Sequence, residues 1–127
     1  MSRNIESIRE ILKASRNIEF AYLFGSRAKG IAGQRSDWDI AIYFDKDPRN
    51  MGWSIFYLEA EVSKDIGEEV QIVALNNLNS PVFLFEIINS GLLIIDNNPE
   101  GRILFEANVL RNYHDWHYFL KRQMQEV

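Results

Sequence analysis

AYLFGSRAKGIAGQRSDWDIAIYF, residues 21–44, decides the fold because it sets a glycine turn and two spaced carboxylates between apolar segments able to pair. The first segment, Ile18 to Phe24, is apolar and aromatic with one interior charge, Glu19, a pattern that predicts a strand mostly covered on both faces. Gly25 and Ser26 end it. Ser26 is a favourable N-cap, which predicts a short helix from Arg27 to Ile31 whose open backbone N–H groups favour an anion. After Gly30 and Gly33 the chain returns through Ser36 into a second strand, Asp37 to Phe44. Strand alternation puts Asp37 and Asp39 on one face and Trp38, Ile40 and Ile42 on the other.

Two carboxylates roughly 7 Å apart by Cα spacing along a strand repel each other unless a cation sits between them, and a hard ion such as Mg²⁺ prefers oxygen ligands of this kind. With phosphates at the Gly25-Ser26 turn and Mg²⁺ on Asp37 and Asp39, the arrangement suits chemistry at a nucleoside triphosphate. Either motif alone reads more readily as a plain turn or as solvated acids, since both are common; their placement on adjoining strands is what points to a site. Arg27, Lys29 and Arg35 flank the turn and would concentrate positive charge for a triphosphate, although surface solvation accounts for any one of them equally well.

At these residues the chain resembles a known family. Gly25-Ser26, ten residues and then Asp37-x-Asp39 is similar to the signature of the polymerase-beta-like nucleotidyltransferases, and GSRAKG followed by SDWDIAIYF resembles their minimal, single-domain members, the MNT proteins. The resemblance runs from the leading helix through the third strand and the helix after it. It implies an α/β (α+β) fold with a small mixed sheet packed with helices, one domain over residues 1–127, and ATP as substrate with two Mg²⁺ ions. It also implies nucleotide binding by Gly25, Ser26, Arg27 and Lys29, metal ligation and catalysis by Asp37 and Asp39, and a HEPN-domain toxin as partner. Minimal members transfer AMP from ATP to a tyrosine of that toxin and so act as antitoxins.

One position departs from the family pattern. Glu69 to Leu75, EVQIVAL, reads as the third strand, where the resemblance places a third acid that helps hold the metals and take the proton from the attacking hydroxyl. Gln71 stands there instead. An amide is no base at neutral pH and a poorer ligand for Mg²⁺ than a carboxylate. Glu69, one pleat away on the same face, is the other candidate for that role, or else a solvated residue at the strand start. The departure leaves a rival open, a non-catalytic antitoxin that neutralises a HEPN toxin by binding alone. Transfer to a small acceptor such as an aminoglycoside is a third reading.

Composition bounds these readings. The chain has 127 residues, 46% hydrophobic and 13% aromatic, enough to fill one real core. No stretch approaches the roughly 20 apolar residues of a membrane span, and MSRNIESIRE lacks the apolar region of a signal peptide; a cytoplasmic protein without membrane contact is expected. The absence of cysteine excludes disulfides and thiolate metal sites. A net charge of −4 argues against general nucleic-acid binding.

The remaining segments read as support. Asn4 to Ser15 carries Ile5, Ile8, Ile11 and Leu12 at helical spacing. Asp45 to Asn50 is a loop. Trp53 to Ile66 is a second amphipathic helix stopped by Gly67, with Glu59, Glu61, Lys64 and Asp65 on its solvated face. Ser80-Pro81 opens a helix to Ser90 with Leu84, Ile87 and Ile88 inward, and Gly91 stops it. Leu92 to Ile95 is a short edge strand. Asn98 and Pro99 start a last helix to about Gln123 with Ile103, Ala107 and Leu110 on one side. Its end is dense in aromatics and histidines, from Tyr113 through His114, Trp116, His117 and Tyr118 to Phe119; it reads as a lid on the core, an anchor for a partner, or both. His114 and His117 have metal-ligand spacing but no third ligand in sequence.

Overall fold

The computed structural model describes residues 3–30 and 37–125. Its elements in chain order are α1 (Arg3–Ala14), β1 (Ile18–Phe24), α2 (Ser26–Lys29), β2 (Trp38–Phe44), α3 (Ser54–Ile66), β3 (Val70–Ala74), α4 (Pro81–Ser90), β4 (Leu92–Asp96) and α5 (Pro99–Gln125), with 3-10 turns at Pro48–Asn50 and Leu75–Asn77. The strands form one sheet in the order β3-β2-β1-β4. β1 is antiparallel to both β2 and β4, whereas β2 and β3 run parallel; α3 provides the crossover that a parallel pair requires. The mixed sheet packed with helices is the expected architecture, with β4 at an edge.

Each face of the sheet has its own apolar layer. On one, Ile5, Ile8 and Leu12 of α1 and Val62 of α3 pack on Ala21, Leu23, Trp38, Ile40, Ile42, Val70 and Ile72. On the other, Ile87 of α4 and Phe105 of α5 pack on Phe20, Tyr22 and Ala41. The period-2 alternation of β1 and β2 therefore feeds two cores, which is why both strands read as nearly continuous apolar runs.

Both sheet edges are closed by side chains. Glu59 Oε2 accepts the Ile72 N–H on β3 (2.8 Å), and Arg9 Nε donates to the Ile94 carbonyl on β4 (3.2 Å), so each edge strand offers fewer open groups to another chain. Glu59, expected on the solvated face of α3, is thus half-buried and engaged. Asn76 extends the β2–β3 ladder with its side chain, donating to the Phe44 carbonyl and accepting the Phe44 N–H, both at 2.9 Å.

Several local expectations need correction. Ser26 does not cap α2; Gly25 does, with φ 77° and no side-chain cap bond, and Ser26 is the first helical residue. α2 stops at Lys29, with Gly30 in the left-handed region, short of the expected end at Ile31; Ile31, Gly33, Arg35 and Ser36 lie outside the described residues. In α5 the packed stripe is Phe105, Val109 and Tyr113, while Ile103 and Leu110 face outward at 58% and 40% exposure. The aromatic end is no lid on the core: Tyr113 stacks on Phe85 of α4 (4.0 Å between ring centroids), whereas Trp116, Tyr118 and Phe119 are exposed. By contrast, Gly67 ends α3 in the left-handed region, Ser80 caps α4 by accepting the Phe83 N–H, and Asn98 caps α5 by accepting the Gly101 N–H, all as the sequence indicates.

Candidate functional site

The ends of three strands converge on one spot. Asp39 pairs with Phe24 on β1 and with Gln71 on β3, so the residue before the glycine turn, one carboxylate and the amide that replaces the expected third acid stand in a row. Strand alternation points Asp39 and Gln71 to the face that carries α4 and α5, opposite Trp38 and Ile40. The glycine turn closes over this row. A Cβ built on Gly25 would lie 2.6 Å from Asp39 Oδ2, and φ 77° is itself unfavourable for a side chain. Glycine is therefore demanded twice, by its backbone angle and by the carboxylate against it.

Asp39 is half-buried and Asp37, one pleat towards the strand start, is exposed. Burial raises the affinity of Asp39 for its proton, and the neighbouring charge of Asp37 raises it further. Among the described residues no donor or cation is paired with Asp39. A desolvated carboxylate facing a like charge without a partner is held at a cost, and a bound cation would remove that cost. The donor set suits a hard ion: two carboxylates with the Gln71 amide oxygen beside them fit Mg²⁺, which commonly takes one or two protein carboxylates and completes its shell with phosphate and water.

The other expected site residues separate. Trp38 pairs with Val70, so Glu69 lies level with Asp37; its carbonyl accepts the Trp38 N–H (2.9 Å) and its side chain is exposed. The three acids do not gather: among the described residues no group of three His, Cys, Asp or Glu side chains could hold an ion, a statement that also covers His114 and His117, whose rings instead neighbour Tyr113. Lys29 is exposed at the end of α2. Arg27, expected on the nucleotide, is turned to the opposite face. Its NH2 pairs with Glu68 Oε1 (2.8 Å) and its guanidinium lies over the Trp38 ring (4.7 Å).

Sequence reading missed two features. Glu68 is one, a half-buried carboxylate that joins several segments. Phe83 is the other, a partly exposed ring set edge-on against Phe24 (5.7 Å). Their contacts reach across 30 to 64 positions of chain for Glu68, beyond any local pattern. The two acids Glu68 and Glu69 between the helix-ending Gly67 and β3 were the available hint.

The polymerase beta nucleotidyltransferase family model matches residues 6–100. The chain belongs to that family. Its fold is similar to a chain in a crystal structure of a toxin–antitoxin with AMP-PNP, at 20% identity over 97% of either chain and a TM-score of 0.78. It is also similar to a chain in a crystal structure of the toxin–antitoxin MntA-HepT, at 18% identity over 97% of this chain and 95% of that one, with a TM-score of 0.71. A third similar chain comes from a tri-AMPylated Shewanella oneidensis HEPN toxin in complex with MNT antitoxin, at 18% identity over 97% and 94%, with a TM-score of 0.72. Comparison with curated proteins by sequence gave no match. Among the described residues no helix is long and apolar enough to cross a membrane.

Proposed function

We propose that the chain is an antitoxin-type nucleotidyltransferase that takes ATP with Mg²⁺ and transfers AMP to a tyrosine hydroxyl of a HEPN-domain toxin in the cytoplasm. The observation that carries this reading is the half-buried Asp39 carboxylate, without a partner among the described residues, lying over Gly25 in register with Gln71. The family supports it, and so does the company kept by the similar folds, which include an AMP-PNP complex and an AMPylated toxin. Gly25 and Ser26 would receive the phosphates and Lys29 would add charge at their rim. Asp37 and Asp39 would hold Mg²⁺, which when bound neutralises charge on the phosphates. In the transfer the tyrosine oxygen bonds to the α-phosphorus, the bond from that phosphorus to the bridging oxygen breaks, and pyrophosphate leaves with the electron pair. The hydroxyl proton passes to a carboxylate or to water.

Gln71 favours a second reading, in which the chain neutralises its partner by binding alone, because the amide cannot accept that proton. Incubation with a HEPN-domain toxin, labelled ATP and Mg²⁺ separates the two. Label on a partner tyrosine is expected, with Gln71→Asp raising the rate by about 10²–10⁴-fold, the usual worth of a positioned base. If Glu69 already supplies the acid, Glu69→Gln abolishes transfer and Gln71→Asp adds little. A stable unlabelled complex with every variant sinks the transferase reading, and label on an added aminoglycoside instead would redirect it to a small acceptor.

A further inference from the structure

Glu68 lies outside the glycine turn and the aspartate strand, on the far side of the sheet, yet it connects them. One oxygen, Oε1, accepts from Arg27 NH2 (2.8 Å). The other, Oε2, accepts from Asn4 Nδ2 (2.5 Å) and from the indole Nε1 of Trp38 (3.1 Å). Its own carbonyl accepts from Ser63 Oγ near the end of α3 (2.7 Å). One residue therefore ties α1, α2, β2 and α3 together. Arg27 is the second residue of α2, and Trp38 separates Asp37 from Asp39; the guanidinium also rests on the indole face. The Glu68–Arg27–Trp38 contact thus braces the two segments whose separation sets the site, from behind.

The brace has a mechanical reason to exist. α2 is four residues long, too short to hold a helical turn by its own hydrogen bonds. Those it has are long, Ala28 N–H and Lys29 N–H to the Gly25 carbonyl at 3.2 and 3.3 Å and Gly30 N–H to Arg27 at 3.4 Å. Meanwhile Gly25 must stay against the Asp39 carboxylate to form the site at all.

We propose that Glu68 is a positioning residue for the nucleotide site, holding the glycine turn against the aspartate strand through Arg27 and Trp38. The proposal rests on the nucleotidyltransferase reading above. It makes a prediction opposite in sign to simple electrostatics. If Glu68 acted only as a negative charge near a polyanion, removing the charge would tighten ATP binding, and a released Arg27 would add to the gain. If it positions the turn, removing the charge weakens binding.

Glu68→Gln, which keeps the size of the side chain, tests this by calorimetry with Mg²⁺ and AMP-PNP, accompanied by amide exchange. The expected result is roughly tenfold weaker binding, the lower end of what supporting residues around a metal site contribute. Exchange should quicken at Ala28, Lys29 and Gly30 and stay unchanged at Leu23 and Ile42. Arg27→Met should also weaken binding, and the double variant should lose less than the sum of the two single losses, because both variants remove the shared Glu68–Arg27 pair. Trp38→Phe, which removes the indole N–H bond to Glu68 together with part of the buried ring, carries the test should Glu68→Gln fail to fold, its melting temperature separating the packing loss from the loss of binding. Equal or tighter binding by Glu68→Gln, or additive losses in the double variant, overturns the proposal while leaving the function standing. A parent protein that binds no Mg²⁺-nucleotide overturns the function and this proposal with it.

Discussion

Two acidic groups occupy the same face of the sheet and are treated in opposite ways. At one end, Asp37 and Asp39 stand together with no cation among the described residues, and burial and mutual repulsion raise the proton affinity of Asp39. Where α5 crosses β1 and β4, Asp96 and Glu106 share Arg102, with Nε to Asp96 and NH1 to Glu106 both at 3.0 Å, and Tyr22 donates its hydroxyl to Glu106 at 2.5 Å. Burial first and the bond to Glu106 second push the Tyr22 phenol well above the ordinary tyrosine range, so it stays protonated and remains a donor. The paired group fastens α5 to the sheet. The other group has no such partner among the described residues, and a half-buried carboxylate facing a like charge is held at a cost that a bound cation would remove.

The sharpest break of that comparison is to remove the unpaired charges. Asp37→Asn with Asp39→Asn should abolish Mg²⁺-dependent ATP binding in calorimetry while leaving the circular dichroism spectrum intact and not lowering the melting temperature, because the change relieves a like-charge pair and opens no cavity. Retained affinity would show that the pair is not the metal site. The paired group should respond in the reverse sense. Arg102→Met strips Asp96 and Glu106 of their shared cation and should cost about 1 kcal/mol in urea denaturation, the net worth of a typical hydrogen-bonded contact. Nucleotide affinity should hold. A loss of affinity without a loss of stability would mean that the two groups are coupled through β1.

The smallest effect concerns pH. The folded protein raises the Asp39 pKa, so the ionised carboxylate costs stability. That cost is absent below the unfolded-state value, where both states are protonated, and it grows as pH rises through the unfolded and then the folded pKa. Asp39→Asn should therefore melt slightly higher than the parent at pH 7, and the difference should shrink towards zero near pH 3. A constant difference across that range would assign the effect to something other than the charge.

Much of the candidate site's arrangement was legible in sequence because its contacts are local or in simple register. Gly25 lies next to the end of β1, Asp37 and Asp39 alternate at the start of β2, and the family resemblance laid on the strand EVQIVAL put Gln71 beside them, where the register pairs it with Asp39. The position of the capping residue was misjudged by one, since Ser26 has the better side chain for a cap but the approach of Asp39 leaves room only for a backbone without Cβ at the turn. The roles of Arg27 and Glu59 were not legible either. A charged side chain near a phosphate turn reads as a phosphate ligand, and one on a helix reads as solvated, until a partner from distant sequence claims it.

What the sequence by itself determined is what periodicity and backbone chemistry control: the element order, the two-sided burial of β1, the alternation along β2, most of the helix stops, and the type and order of the groups at the candidate site. These depend on neighbours within a few residues, where sterics and hydrogen bonding act whatever the rest of the chain does. Only the tertiary structure decided which face of α5 is buried, that its aromatic end projects from the core, and that Glu68 draws Arg27 away from the glycine turn. Those outcomes depend on which surfaces meet. A long-range ion pair forms only when folding has brought its partners together and removed enough water to make the contact worth more than solvation, and neither condition is written at either residue alone.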